Sequence, residues 1–470
     1  MTTRPNIVLL MSDQHRYDVM GCAGDPVVRT PNMDRLAVEG FYLRRSVCVA
    51  PLCMPSRASI ITGRYPHNHG VIGNVGMILP QERTFMQCLQ SAGYYTAVVG
   101  KMHFFTLPRG GDLREMMQVT ASFGFHDVYE TLGRTAARYS SDPHTGYLDE
   151  RGLLQRLRED HSYRTQQPIY YATPSVLPEE DFLDTHIGRK SVEWIQRYDR
   201  SQPFFLWTSW AGPHDPWDAP GKYGSMYDPA DMPASVVDDL SAKPDIQQKR
   251  AERQHMHTCT EQDIRKARAQ YYGLVTLIDD QIGQILTALE ERGWLNNTII
   301  VYVSDHGEMM GDHGLFLKEQ FYEPSVRVPL IVRYPPMFPR STKCDALVEL
   351  IDLMPTFLEL AGADIPEVCL GRSLLSVLKG GSHEHREAVF SELGRTKMVR
   401  TERYKYTYMP GKGSLELYDL YADPQEVTNL LGCAEYIDVQ REMERRLLDW
   451  LISTERHLNS KGTVREHRLQ

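Results

Sequence analysis

Four runs of apolar residues, each continuous rather than alternating, do most to constrain how this chain can fold. They span 6–11, 95–99, 204–208 and 298–303. A strand with one wet face alternates polar and apolar residues, so a run without alternation belongs to a strand buried on both faces. Between these runs lie longer stretches with helical periodicity. Pro31 opens one that Gly40 closes, as expected of proline in a first turn and glycine past a last one. Others span 85–92, 182–198 and 261–292, with Gly93 and Gly293 following two of them. Doubly buried strands separated by helices predict an α/β fold, a large mostly parallel sheet flanked by helices.

The texture changes from about residue 387. Short, closely spaced aromatic runs at 389–391, 397–400, 404–408 and 416–419 read as an antiparallel meander, and 437–452 as a helix packed on it. A large domain over 1–380 and a smaller C-terminal antiparallel sheet plus helix over 381–470 follow, with the boundary in the Gly/Ser/His segment 380–383. Two units also suit 470 residues, more than one core ordinarily holds. The polar stretch 110–167 is expected to be a loop-rich insertion covering the ligand side. The tail after Ser460 is expected to be an arm or disordered.

Charge and composition narrow the function. A net charge of -9 leaves no polycationic footprint, so nucleic acid is not an expected partner. An anionic substrate would need a local cluster of positive charge. No stretch is long and apolar enough to span a bilayer, so no membrane partner is expected. The first apolar run is too short for a signal-peptide core, which gives the expectation of a cytoplasmic protein. Eight cysteines without tight spacing suit mostly free thiols. His255-Met256-His257-Thr258-Cys259 sits in a polar stretch without a second ligand pair, and reads as a solvated loop rather than a metal site.

In an open parallel sheet, ligands collect beyond the carboxyl ends of the strands. Two of the four runs end there in acids: Ser12-Asp13-Gln14-His15-Arg16 and Ser304-Asp305-His306-Gly307. Asp13, Gln14, Asp305 and His306 would converge as three oxygen donors and an imidazole, a set suited to a hard or borderline divalent cation. Either pair alone serves as well to cap a following helix. What changes the reading is Cys53-Met54-Pro55-Ser56-Arg57, a cysteine with proline two residues and arginine four residues later. Arg57 lies one helical turn after Cys53, so both point the same way. Past the second run, strand alternation would put Lys101 and His103 on one face.

The stretch from Cys53 through Ala58-Ser59-Ile60-Ile61-Thr62-Gly63-Arg64 resembles the signature of the sulfatase family of the alkaline phosphatase superfamily. There the cysteine is oxidised to an aldehyde, formylglycine. The resemblance is strongest over 5–74 and 298–329 and reaches into the small C-terminal unit. It implies a sulfatase that hydrolyses a small sulfate ester to an alcohol and inorganic sulfate. The chemistry is coherent. A sulfated serine or cysteine would have to be hydrolysed at the same hindered sulfur. An aldehyde hydrate attacks with one hydroxyl and, on deprotonation of the other, expels sulfate by C–O cleavage.

The same resemblance implies roles for individual residues. Asp13, Gln14, Asp305, His306 and the modified Cys53 would hold one divalent metal ion. Calcium is the family's usual ion, and the nitrogen donor with Gln14 in place of an acid leaves manganese as the alternative. Arg57 would hold the modified side chain and an acidic ligand. Lys101 and Lys318 would bind sulfate oxygens. His103 would deprotonate the sulfated hydrate, and His214 would act as general acid at the leaving-group oxygen. Asn74 is a possible pocket residue. A formylglycine-generating enzyme for maturation and a homo-oligomer, dimer or tetramer, are also implied. The second reading is a phosphonate monoester or phosphodiester hydrolase of the same superfamily. Those share the Asp-Gln and Asp-His pattern but typically lack the lysine–histidine pair found at Lys101 and His103.

Overall fold

The structure, a computed structural model, describes residues 4–381 and 384–455. Nine strands form one mixed sheet: β1 (Asn6–Asp13), β2 (Phe41–Val47), β3 (Tyr95–Lys101), β4 (Asp127–Thr131), β5 (Phe204–Pro213), β6 (Thr298–Ser304), β7 (Arg327–Val328), β8 (Leu330–Arg333) and β9 (Thr342–Glu349). Their order is β4-β3-β5-β1-β6-β8-β2-β7, with β9 also against β2. The pairs that join β4, β3, β5, β1 and β6 are all parallel, whereas β8 runs antiparallel to β6 and β2. The four apolar runs are the four strands β1, β3, β5 and β6. Every residue of β1, β5 and β6 is buried, as continuous hydrophobic strands in a covered parallel sheet must be.

Helices cover both faces. Cys53–Thr62, Phe85–Ser91 and Leu353–Ala361 bury Met54, Phe85 and Phe357 against Ile7, Leu9 and Val301. Pro31–Val38, Leu183–Arg197 and Glu261–Glu291 bury Leu36, Ile187 and Ile282 against Val8, Leu10 and Ile300 on the other. Odd and even residues of β1 thus feed two separate cores, the expected result of strand alternation. Sequence-local signals start the helices. Thr84 with Gln87, and Thr260 with Asp263, form capping boxes that satisfy first-turn N–H groups.

The second sheet is antiparallel, β10 (Ala388–Leu393), β11 (Thr396–Thr401), β12 (Tyr404–Met409) and β13 (Gly413–Asp419), paired in sequence order. The helix Ile437–Thr454 lays Met443, Leu447 and Trp450 on Val399, Tyr406 and Leu417. Ser382 and His383 of the expected boundary, and the tail after Ser460, lie outside the described residues.

The region 110–167 departs from expectation. It contains helices Met117–Ser122, Pro143–Glu150 and Leu154–Arg164 and contributes β4, the edge of the large sheet. It does wall the ligand side, through Leu113, Leu132 and Tyr139. Its polarity misled because an edge strand keeps three of its five residues partly exposed. Among the described residues no helix is long and apolar enough to cross a membrane.

Candidate active site

The site is built where β1, β3, β5 and β6 end. Asp13 closes β1, Asp305 and His306 follow β6, Lys101 closes β3 and His214 follows β5. Cys53 opens the helix Cys53–Thr62 against them, so its side chain meets the strand ends at the helix N-terminus. There the partial positive charge of the helix favours an anion.

Four donor atoms, from Asp13, Cys53, Asp305 and His306, lie within 4.8 Å of one another, and all four residues are buried. Cys53 Sγ stands 3.0 Å from His306 Nε2 and 3.7 Å from Asp13 Oδ1. His306 Nε2 stands 3.7 Å from Asp13 Oδ1 and 3.8 Å from Asp305 Oδ1. Neighbouring ligands of a cation with bonds of about 2.4 Å stand about 3.4 Å apart. The donor set therefore fits a divalent cation in both chemistry and spacing. Gln14, next to it at a left-handed backbone position of φ 72°, accepts from the Lys318 ammonium at Oε1 and donates from Nε2 to Glu308.

Arg57 ties the cluster together. It is fully buried, donating from Nε to Asp305 Oδ2 at 2.7 Å and from Nη2 to Asp13 Oδ2 at 3.2 Å. Its Nη1 donates to the Lys101 carbonyl and to Ser209 Oγ. One guanidinium thus fixes both acids and the ends of β3 and β5. Such buried charges are tolerated because each is paired and hydrogen-bonded.

The electrostatics favour an anion at position 53. Burial opposes it, yet Lys318, His306 and Lys101, with a hydrogen bond to His103, hold the Cys53 thiol well below its ordinary range. Burial would also keep His306 neutral, but Asp305 and Cys53 lift it to about 9. Asp13 is pushed up by burial and by Cys53, and Lys101, His214 and Arg57 outweigh them and keep it ionised. Lys101 Nζ reaches Asp13 Oδ2 at 2.5 Å. Burial works against the charge on Lys318, but Cys53, Asp215 and Asp13 hold it protonated.

Lys318 Nζ also meets His214 Nε2 at 2.7 Å, and His214 Nδ1 faces the Asp215 carboxylate at 3.0 Å. His103 lines the same cavity as Cys53, of about 300 Å³, with Asn74, Lys101 and His214. Its Nδ1 is buried without a partner. Burial, with Lys101 and Arg57, lowers its pKa against the pull of Cys53, so the ring is a base in waiting. Asn74 Oδ1 accepts from the Met54 N–H at 3.0 Å, bracing the helix start as well as lining the cavity.

One expected geometry is corrected. Lys101 and His103 do not share a strand face, because β3 ends at Lys101 and His103 adopts a left-handed conformation, φ 58°. A turn, not alternation, brings both to the cavity. That turn is held by Glu130 of β4, which accepts from the backbone N–H groups of Met102 and His103 and from Thr120 Oγ1. Burial raises Glu130 to about 7 despite those donors.

Several site residues escaped the sequence. Glu308 accepts from the Gln14 amide and from the Met310 and Leu317 N–H groups; its place three residues after Asp305 was the available signal. Ser209, Glu130 and Asp215 carry no local pattern that marks them. Asp218 is buried and pairs with Arg134.

Residues 5–363 match the Sulfatase family model, and residues 311–452 match that of the N-sulphoglucosamine sulphohydrolase C-terminal region. An arylsulfatase of Clostridium perfringens is 33% identical over 446 residues, covering 92% of this chain and 91% of its own. The multifunctional alkaline phosphatase superfamily protein PehA of Trinickia caryophylli is 30% identical, covering 96% of each. Among solved structures, the phosphonate monoester hydrolase SpPMH of Silicibacter pomeroyi superposes with a TM-score of 0.81 at 25% identity, covering 99% of both chains. With a family model matched over most of its length and a relative of this similarity along nearly all of it, the chain belongs to the sulfatase family and is a sulfuric ester hydrolase.

Proposed function

We infer that the protein hydrolyses a sulfate ester with a formylglycine made from Cys53 as the nucleophile and with one divalent cation, calcium, as cofactor. The observation that carries this is the position of Cys53: Sγ at 3.0 Å from His306 and 3.7 Å from Asp13, inside a ring of cationic side chains, at the floor of a cavity. The aldehyde hydrate would supply one hydroxyl to attack sulfur and a second to release sulfate. Asp13, Gln14, Asp305 and His306 would hold the cation, which supplies Lewis acidity beside the nucleophile. Donor spacings of 3.7–3.8 Å among the two acids and His306 favour an ion of calcium's size over magnesium.

The chain's own residues divide the remaining work. Lys101 and Lys318 line up on the anion and stabilise the charge that grows on its oxygens. His103, held uncharged by burial and hydrogen-bonded to the side chain at position 53, takes the proton from the hydroxyl there. His214, its Nδ1 held at the Asp215 backbone carbonyl at 2.8 Å and its Nε2 beside Lys318, would act as general acid at the leaving oxygen once Nε2 carries a proton. Maturation of Cys53 requires an aldehyde-forming enzyme as a partner.

Phosphonate hydrolysis is the second reading, favoured by Gln14 in the ligand set and by the likeness to SpPMH. A sulfate monoester and a phosphonate ester with the same leaving group separate the two. The expected result is a higher kcat/KM on sulfate and loss of both activities in Cys53→Ala. A strong preference for the phosphonate would overturn the sulfate assignment.

A further inference from the structure

A second cavity, of about 470 Å³, adjoins the one that holds Cys53. Thr135 lines both, and the neighbours His214 and Asp215 divide between them. Because His214 faces the leaving oxygen in the proposed mechanism, the alcohol portion of a substrate would extend past it toward this second space.

Three arginines line that space, Arg138, Arg164 and Arg253, with the imidazoles of His161 and His255, against one acid, Asp215. Two of these charges are already committed. Asp215 serves His214. Arg164 pairs with Asp160 at 2.6 Å and donates to the carbonyls of Thr173 and Pro174. Arg138 and Arg253 have no carboxylate partner among the described residues; Arg138 lies over the Tyr139 ring at 5.4 Å. His161 is 6% exposed and its Nδ1 has no hydrogen-bond partner. Burial and the arginines around it keep this ring uncharged, at about 3. A partly enclosed wall with two guanidinium groups that have no carboxylate partner among the described residues is built to receive an anion. The planar fork of arginine matches the oxygens of a carboxylate or a sulfate.

Resting on the sulfate-ester reading of the Cys53 site, we propose that this cavity is a second anion subsite, with Arg138 and Arg253 as its ligands. It takes a carboxylate or sulfate carried by the alcohol portion of the substrate. The substrate class is then a sulfate ester whose alcohol bears a further negative charge, an acidic or multiply sulfated sugar rather than a neutral aryl or alkyl alcohol.

The test compares one monosulfated sugar with the same sugar bearing a second sulfate, and with its uronic acid counterpart. In the mature enzyme the ratio of kcat/KM for the dianion to that for the monoanion should be about 100, each charged contact contributing about tenfold. Arg138→Ala and Arg253→Ala should each cut that ratio about tenfold, and the double variant should bring it near one. Arg253→Glu, which keeps the side chain long, should reverse the preference. The better of the two dianions identifies the recognised group. A ratio near one in the wild type, or one that survives in the double variant, overturns the subsite. Calorimetry on Cys53→Ala separates this failure from failure of the reaction assigned above. Discrimination between the sugars without any sulfate hydrolysis by the mature enzyme would leave the subsite standing and remove the sulfatase reading. Hydrolysis without discrimination would do the reverse.

Discussion

At the scale of single residues, the site is governed by who holds the ligands. Gln14 has an amide where a second acid is common, and an amide must be told which end faces inward. Glu308 does this. Its carboxylate takes the Gln14 Nε2 hydrogen, leaving Oε1 toward Lys318 and the acids, while two backbone N–H groups hold Glu308 itself. Glu308→Gln would set an NH2 group against the Gln14 Nε2 donor or against the two backbone donors. The expected outcome is at least a tenfold weaker affinity for the divalent ion, measured by competition with a chromophoric chelator. Unchanged affinity would show that Gln14 orients itself. Legibility follows the same line. Asp13, Gln14, Cys53, Arg57, Asp305 and His306 announce themselves because their spacing is local. Glu130, Ser209 and Asp215 do not, because each acts on a partner far away in sequence, and only the sheet order makes them neighbours.

At the scale of elements, strand ends decide where the chemistry sits. Gly100 is the hinge of β3. It lies at φ 108°, and a Cβ there would stand 2.0 Å from the Ser209 carbonyl oxygen of the adjacent β5 backbone. Backbone cannot yield as a flexible side chain can. Gly100→Ala is therefore expected to cost about 3 kcal/mol or more in stability, from left-handed strain together with a forced separation of two parallel strands. Urea unfolding measures it, and a loss below about 1 kcal/mol would contradict the tight approach. The doubly buried strands were readable in the sequence because burial on both faces leaves an unbroken apolar run. β4 was not. Its Asp127-Val128-Tyr129-Glu130-Thr131 is an edge strand whose polar residues look like loop, although Glu130 carries the turn that aims His103.

At the scale of the molecule, a buried acid network joins the two sheets. Glu323, ahead of β7, pairs with Arg400 of β11 at 3.2 Å and with Lys405 of β12 at 2.8 Å, and Glu426 meets Lys405 at 2.7 Å. The C-terminal sheet is thus fixed to the large one by charge as well as by Trp450 and its neighbours. The pH dependence of stability comes from elsewhere. Burial keeps several histidines neutral, and the most strongly shifted are His69, lowered to about 3, His161, to about 3, and His186, to about 2. Folded-state values below the ordinary 6.5 mean that the unfolded chain binds protons that the native protein refuses. Their contribution is complete above about pH 6.5 and falls as the pH drops toward 3. Between pH 7.5 and 5.5 the three together should cost about 4 kcal/mol of unfolding free energy. Denaturant midpoints at the two values check this, and a flat profile would contradict it. The separate antiparallel sheet was legible because the hydrophobic rhythm changes near residue 387. The ion network between the two sheets was not, since single charged residues at 323, 400, 405 and 426 look like ordinary surface.

The account turns on what stands at position 53, because the acids, lysines and histidines around it are arranged to favour an anion at that one point. The most direct measurement is the mass of the peptide containing residue 53, taken from protein that turns over a sulfate ester. An aldehyde in place of the Cys53 thiol, in proportion to activity across preparations, is the predicted result. Full activity in protein that carries only the unmodified thiol would contradict the account.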